Sequence, residues 1–129
     1  MTEIPLTITE AAAALRAGTL TSVELTEASL ARADQLDEKL GTYIERLDEA
    51  ALASAAAADA AFAAGEDAGP LQGIPLGIKD IIAVEGSTTT AQSLILDRTW
   101  GEQGDAPVVA RLRAAGAVIT GKVTTMEYA

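Results

Sequence analysis

Lys79 is the residue whose neighbours in the sequence most clearly favour chemistry. It lies near the end of the run 69–80, GPLQGIPLGIKD, which is rich in glycine, proline and branched apolar residues. A lysine stem that passes through an apolar environment is desolvated, which disfavours the ammonium form and can make the amine a usable general base. Asp80 is placed to cap the following turn or to influence this amine. The alternative from the residues alone is a solvated lysine at a strand end, with no chemical role.

The composition excludes most other catalytic apparatus. The 129 residues include no histidine and no cysteine. Ser-His-Asp and Cys-His catalysis, imidazole metal ligands and zinc-thiolate sites are therefore excluded, and acid–base chemistry falls to lysine, aspartate, glutamate or tyrosine. We expect neither a metal nor a cofactor. The net charge of −10 argues against direct binding of nucleic acid by this segment, because such binding depends on lysine and arginine.

A second group of candidates follows the last apolar run of the sequence. Lys122 comes directly after Gly121, and Thr124, Thr125 and Met126 come next. We take Thr125 and Met126 as candidate substrate-pocket residues. The competing interpretation is a strand-to-helix turn in which a threonine caps the helix. The carboxylates of the amino-terminal half are interpreted as helix caps and solvated helix faces, since their spacing does not bring a catalytic pair together.

Three helices are predicted in the first half of the chain, over about residues 8–17, 22–36 and 48–64. Thr7 and Thr21 each precede a glutamate by three residues, which is the capping-box pattern that begins a helix. The third helix is rich in alanine, which has high helix propensity and small side chains. We therefore expect it to pack closely against another surface.

The composition changes at residues 65–70, a polar and glycine-rich linker. We take residues 1–68 as an amino-terminal helical region. Residues 69–129 are then the start of an α/β core that carries Lys79, with no separate second domain. Within 71–84, apolar residues are interrupted by glycine and proline, which predicts an irregular strand with bends.

The last third of the chain predicts a strand–helix–strand unit. Asp105 is the expected cap of a helix that starts at Pro107, with Val108 and Val109 facing inward. The apolar run 117–120 lacks polar alternation, as expected of a parallel strand buried on both faces. With the preceding strand, these elements form a βαβ unit, but the chain has too few strands to complete a parallel sheet.

Several ordered segments resemble the amino-terminal part of the amidase signature family. They are GPLQGIPLGIKD at 69–80, DAPVVARLRAAGAVITGK at 105–122 and TTMEYA at 124–129. The helical start TLTSVELTEASLARADQLDEKLGTYIE, at 19–45, is similar as well, so the resemblance covers nearly the whole chain. It implies an α/β amidase signature fold, with an amino-terminal helical region followed by the first strands and a βαβ unit of a mixed sheet, incomplete in this chain.

The resemblance also implies a chemistry, the hydrolysis or transfer of C–N amide bonds by a serine nucleophile, a second serine in cis peptide linkage and a lysine. Lys79 matches the family's lysine, which acts as a base through the bridging serine. The family's glycine- and serine-rich signature lies carboxy-terminal to the region matched by 121–129. We therefore expect both triad serines to be missing from this chain and the chain alone to be inactive. The serines that it does contain lie outside any glycine-rich elbow: Ser22, Ser29, Ser54, Ser87 and Ser93.

Three functions stay open on this basis. The first is a general amidase. The second is the A subunit of glutamyl-tRNA amidotransferase, which releases ammonia from glutamine for a partner protein. The residues Thr124, Thr125 and Met126 depart from the Thr-Asn-Met expected in that amidotransferase, which favours the general amidase slightly. The third, of a different class, is a non-catalytic interaction or scaffold fragment.

The expected partners follow from the same interpretation. The substrate is expected to be a small-molecule amide. We also expect this chain to associate with the carboxy-terminal part of the family fold or with another copy. The physical reason is that apolar residues meant for burial should be exposed, namely Val118 and Ile119 together with Ile78, Ile81 and Ile82.

A membrane partner is not expected. No apolar run in the sequence approaches the ~18–20 residues of a membrane span, and residues 1–5 lack the basic segment of a signal peptide. The absence of cysteine fits a reducing compartment. We therefore predict a cytoplasmic location.

Overall fold

Four helices and three strands form the part of the chain described by the computed structural model, which comprises Pro5 and residues 7–129. This mixed α/β architecture confirms the predicted fold class. Among the described residues, the structure contains no helix that could span a membrane. In chain order the elements are α1 (Ile8–Ala17), α2 (Ser22–Leu40), β1 (Tyr43–Arg46), α3 (Asp48–Ala63), β2 (Pro75–Lys79), α4 (Pro107–Ala114) and β3 (Val118–Val123).

Both predicted capping boxes are present. The hydroxyl of Thr7 accepts from the backbone N–H of Glu10, and Glu10 accepts in return from the backbone N–H of Thr7, each at 3.1 Å. Thr21 and Glu24 make the same reciprocal pair at the start of α2. The backbone and hydroxyl donors of Thr21 hold the pKa of the Glu24 carboxyl below its ordinary value. These local signals explain why α1 and α2 begin where the sequence predicts.

The three strands form one sheet in the order β1-β3-β2. β2 pairs parallel with the central strand β3, and α4 connects the two, so the predicted βαβ unit is confirmed. β1 pairs antiparallel with β3. β1 lies within the helical region 1–68 and was not predicted. The helical region and the core that starts at residue 69 therefore share one sheet, and the boundary between them stays a prediction.

The α3 helix packs its alanines directly on the sheet. Ala51, Ala55 and Val118 are fully buried against one another. On α4, Val109 is fully buried with Ile119, whereas Val108 is 48% exposed. The prediction that both valines face inward is therefore wrong, because successive residues of a helix point about 100° apart.

Asp105 also differs from its predicted role as the cap of α4. Its carboxylate accepts from the backbone N–H of Glu85 at 2.8 Å and pairs with Arg113 Nε at 2.7 Å. The residue before Pro107, Ala106, makes no side-chain cap. Asp105 therefore connects the loop residue Glu85 to Arg113 in the last turn of α4.

The predicted exposure of the sheet is wrong as well. Val118 and Ile119 are 0% and 2% exposed, and Ile78 is 6% exposed, while Ile81 and Ile82 are half-buried. Within the chain itself, α3 covers Val118, and Val109 of α4 packs in one cluster with Ile78, Ile82 and Ile119. The three most exposed large apolar side chains among the described residues, Leu94, Ile95 and Met126, lie elsewhere, in the segments that follow β2 and β3.

Gly121 marks the closest approach of β1 to β3. Its φ is +154°, and a Cβ built on it would lie 2.3 Å from the carbonyl oxygen of Glu45. We expect Gly121→Ala to lower the free energy of unfolding by about 2–3 kcal/mol, since it adds backbone strain to a clash with main-chain atoms. Urea denaturation followed by circular dichroism measures this loss.

The matched control is Gly18→Ala. Gly18 also has positive φ, +67°, but no heavy atom lies within 4 Å of an added Cβ. Gly18→Ala should therefore lower the free energy of unfolding by only about 1–2 kcal/mol, the cost of a left-handed backbone at a residue with a Cβ. Equal losses in the two variants would mean that the β1–β3 contact at Gly121 contributes nothing.

Candidate active site

Lys79 is the last residue of β2, at the carboxyl end of an edge strand. The side chains of β2 alternate there, because Ile78 is buried whereas Gly77 and Lys79 are exposed. Within residues 7–129, no hydrogen bond or ion pair engages the Lys79 ammonium. The structure therefore does not show the desolvated stem expected for Lys79. The reason is that the described residues leave its face of the strand uncovered.

The buried lysine of the chain is Lys122, on the neighbouring strand β3. Lys122 and Asp80 are both 0% exposed, and Lys122 Nζ lies 2.8 Å from Asp80 Oδ1. The same ammonium donates to Thr89 Oγ1 at 2.9 Å and to the Thr88 carbonyl at 3.4 Å. Asp80, the immediate neighbour of Lys79, thus pairs with the other lysine.

The Asp80 carboxylate also accepts from Thr90, through its backbone N–H at 3.2 Å and through its hydroxyl. The main chain of Asp80 is held on both sides. Its N–H donates to the Val123 carbonyl and its carbonyl accepts from Ala91 N–H, each at 2.9 Å. Asp80 therefore joins the end of β2 to the end of β3 and to the loop at 88–91.

That loop continues into a turn that contacts the residues after β3. Ala91 and Gln92 have left-handed φ values of 48° and 46°. The Gln92 side-chain oxygen accepts from Thr125 N–H at 2.5 Å, and the Ala91 carbonyl accepts from Tyr128 N–H at 3.0 Å. Non-glycine residues in this conformation are strained and are held by their surroundings. The turn therefore positions the segment that begins after β3.

The predicted pocket residues lie in this segment. Thr125 is half-buried, and its hydroxyl, which solvent does not reach, has no hydrogen-bond partner among the described residues. Met126 is 75% exposed. The structure thus places Thr125 and Met126 after β3, against the 91–92 turn, and their contact with a substrate stays a prediction.

The residues after β2 and β3 also form an exposed apolar surface. We use this name for four side chains that are 53–95% exposed, Leu94, Ile95, Met126 and Tyr128. Ser93 donates to Glu127 Oε1 at 2.7 Å, which joins the two segments. Large apolar side chains exposed together commonly mark a contact with another protein, a membrane or a ligand.

Each of the five serines donates its hydroxyl hydrogen to a group other than Lys79. Ser22 and Ser93 donate to the Gly73 carbonyl and to Glu127. The other three serines donate to backbone carbonyls three or four residues earlier, as do side chains in helices and turns: Ser29, Ser54 and Ser87. At the carboxyl ends of β2 and β3, the described residues place the exposed Lys79 beside the buried pair of Asp80 and Lys122.

Comparison with known proteins identifies a family for this chain. The sequence model of the Amidase family matches residues 24–129. The A subunit of glutamyl-tRNA(Gln) amidotransferase from Chloroflexus aurantiacus is 47% identical over 130 residues, which cover 100% of this chain and 26% of that protein. The putative amidase AmiD of Mycobacterium tuberculosis is 46% identical over 124 residues, covering 96% of this chain and 26% of that protein.

A solved structure gives the same result. The peptide amidase of Stenotrophomonas maltophilia superposes with a TM-score of 0.87 and 40% identity, over 96% of this chain and 26% of that chain. This chain thus spans about a quarter of the length of the curated relatives that it matches. Since the family model covers most of the chain and the fold agrees, the predicted resemblance is confirmed, and the chain belongs to the Amidase family.

Proposed function

We propose that this chain is the lysine-bearing, amino-terminal part of an amidase that hydrolyses C–N amide bonds. The observation that carries the proposal is the position of Lys79, which ends β2 with an exposed side chain. Ligands of α/β sheets bind outside the carboxyl ends of the strands. The other lysine at this edge, Lys122, is already committed to Asp80. Lys79 is therefore the amine available for proton transfer.

The proposed role of Lys79 is that of a general base. Its neutral amine takes a proton, through a bridging serine, from the hydroxyl of a nucleophilic serine. The serine oxygen bonds to the amide carbonyl carbon, the C–N bond breaks, and the proton passes to the departing nitrogen. Water then cleaves the acyl–serine ester and restores the hydroxyl. An exposed Lys79 has to be covered for this role, because a lysine accepts a proton only as the neutral amine, which burial favours.

The serines and the cover for Lys79 would come from the rest of the family polypeptide. We call the protein in which this chain is joined to that polypeptide the complete enzyme. The exposed apolar surface of Leu94, Ile95, Met126 and Tyr128 is the proposed contact with it. Thr125 and Met126 would then line the substrate pocket, where the Thr125 hydroxyl, which has no hydrogen-bond partner among the described residues, would bond to an amide. A cytoplasmic location and a small-molecule substrate belong to the same proposal.

A second candidate is an amidotransferase component that releases ammonia from glutamine. The observation that favours it is the 47% identity to the A subunit of glutamyl-tRNA(Gln) amidotransferase. The 46% identity to the putative amidase AmiD is nearly equal, so overall identity does not separate the two. Relative rates of ammonia release from L-glutamine and from an amidated dipeptide would separate them. A preference for glutamine would favour the amidotransferase.

The test of the proposal compares this chain with the complete enzyme. Ammonia release from L-glutamine and from an amidated dipeptide is measured for both proteins at equal concentration. We expect turnover by the complete enzyme and none above background by the 129-residue chain, since its five serines lie outside any glycine-rich elbow. Hydrolysis by the chain alone would contradict the assignment of the nucleophile. An inactive complete enzyme would favour a scaffold role.

A further inference from the structure

We infer that the buried ion pair of Asp80 and Lys122 positions Lys79 for proton transfer, an inference that rests on the proposed role of Lys79 as the base. Both charged side chains are fully buried, and their charged atoms lie 2.8 Å apart. Neither residue is proposed to touch the substrate. They act on Lys79 through the main chain and are therefore positioning residues.

The pair makes more contacts than a simple charge neutralisation needs. Lys122 donates to Thr88 and Thr89, and Asp80 accepts two hydrogen bonds from Thr90. A buried ion pair is weak evidence for stability, because an apolar pair of similar volume often stabilises a core as well. The directional contacts instead fix one arrangement of the strand ends and the loop.

The position of Asp80 in the chain links this arrangement to Lys79. Asp80 directly follows Lys79 in the chain. Hydrogen bonds and the ion pair hold Asp80 through its N–H, its carbonyl and its carboxylate. The Lys79 backbone is therefore fixed at the strand end, while its side chain remains unengaged by the described residues. A base held in this way reaches a proton donor without first ordering its own backbone, and misplacement by about 1 Å can cost 10²-fold in rate.

The same pair reaches the proposed pocket. Ala91, which donates to the Asp80 carbonyl, begins the strained turn whose next residue, Gln92, accepts from Thr125. Asp80 is thus connected to Thr125 through the adjacent residues Ala91 and Gln92, each of which makes one of the two hydrogen bonds. A disturbance of the ion pair should therefore move the base and the pocket relative to each other.

The experiment uses the complete enzyme and the double variant Asp80→Leu/Lys122→Met, which removes both charges together. Thermal unfolding first establishes that the variant is folded. We expect kcat for an amidated dipeptide to fall about 10²-fold while KM changes by less than about twofold. The control Asp67→Asn, which breaks the exposed Arg16–Asp67 ion pair, should leave kcat unchanged. Wild-type kcat in the folded double variant would overturn the inference.

A second comparison separates positioning from general damage. The same double substitution is made in an enzyme that already carries Lys79→Ala. If the pair acts only by placing Lys79, the residual rate should change by less than about twofold in this background. An equal loss in both backgrounds would overturn the inference. Should the double variant not fold, Thr90→Val, which removes one donor to Asp80, supports the same two comparisons.

The outcomes also distinguish this inference from the function on which it rests. Full activity in Lys79→Ala would overturn the proposed base and the inference together. An inactive Lys79→Ala with a fully active Asp80→Leu/Lys122→Met would leave the base in place and overturn the positioning role alone.

Discussion

Lys122→Met is expected to lower the free energy of unfolding of this chain by about 3–5 kcal/mol. The substitution leaves the Asp80 carboxylate fully buried with no counter-charge, and the hydrogen bonds from Thr90 do not replace an ammonium at 2.8 Å. Methionine has a similar length, so little of the loss comes from volume. Urea denaturation at pH 7, followed by circular dichroism, measures the change.

Two controls isolate the charge in this experiment. Lys39→Met removes an exposed lysine in the last turn of α2 and should change stability by less than about 0.5 kcal/mol. The double variant Asp80→Leu/Lys122→Met should recover most of the loss, because no unpaired charge remains. If Lys122→Met were as stable as Lys39→Met, the buried ion pair would have no energetic role.

Unlike Lys122→Met, Lys79→Met should lower activity and leave stability nearly unchanged. In the complete enzyme we expect it to lower kcat for an amidated dipeptide by about 10²–10⁴-fold, the range for loss of a general base. In the isolated chain it should change stability by less than about 0.5 kcal/mol, since Lys79 is exposed and engages no described residue. Lys39→Met again provides the control for activity. A parallel loss of stability and activity would indicate a structural lysine instead.

The helices were predictable because their signals are local. Thr7 and Thr21 meet their glutamates within one turn, so sequence spacing alone determines the caps. β1 carries no comparable signal, since it is four residues long, Tyr43–Arg46, and all four are half-buried. It exists as a strand through its pairing with β3, some 75 residues later, and such pairing follows from tertiary structure.

The site was predictable only in part, because it also depends on contacts between residues distant in the sequence. The run 69–80 indicates Lys79 through its composition, but the burial of a lysine depends on what covers its face of the sheet. The ion pair of Asp80 and Lys122 was missed, although a signal was present. Each residue follows an apolar run, and the two runs are adjacent parallel strands, so their carboxyl ends meet. Only the register of β2 on β3 shows that Asp80 reaches Lys122 while Lys79 faces outward.

The exposed apolar residues show a similar limit. The β-branched residues of β3 were expected to need cover from outside the chain, yet the small alanines of α3 let that helix pack directly on Val118. The exposed apolar surface consists instead of Leu94, Ile95, Met126 and Tyr128. These residues lie in irregular segments whose sequence has no helical or strand periodicity. The position of these segments depends on the 91–92 turn, which is held by contacts distant in sequence.

The most direct test of Lys79 as the base is chemical rescue of the complete enzyme carrying Lys79→Ala. The initial rate of ammonia release from an amidated dipeptide is measured with and without added ethylamine. With Lys79 as the base, the rate should be near background without the amine and should rise with its concentration, because a free amine can replace the missing one. Wild-type turnover by Lys79→Ala without ethylamine would contradict this role.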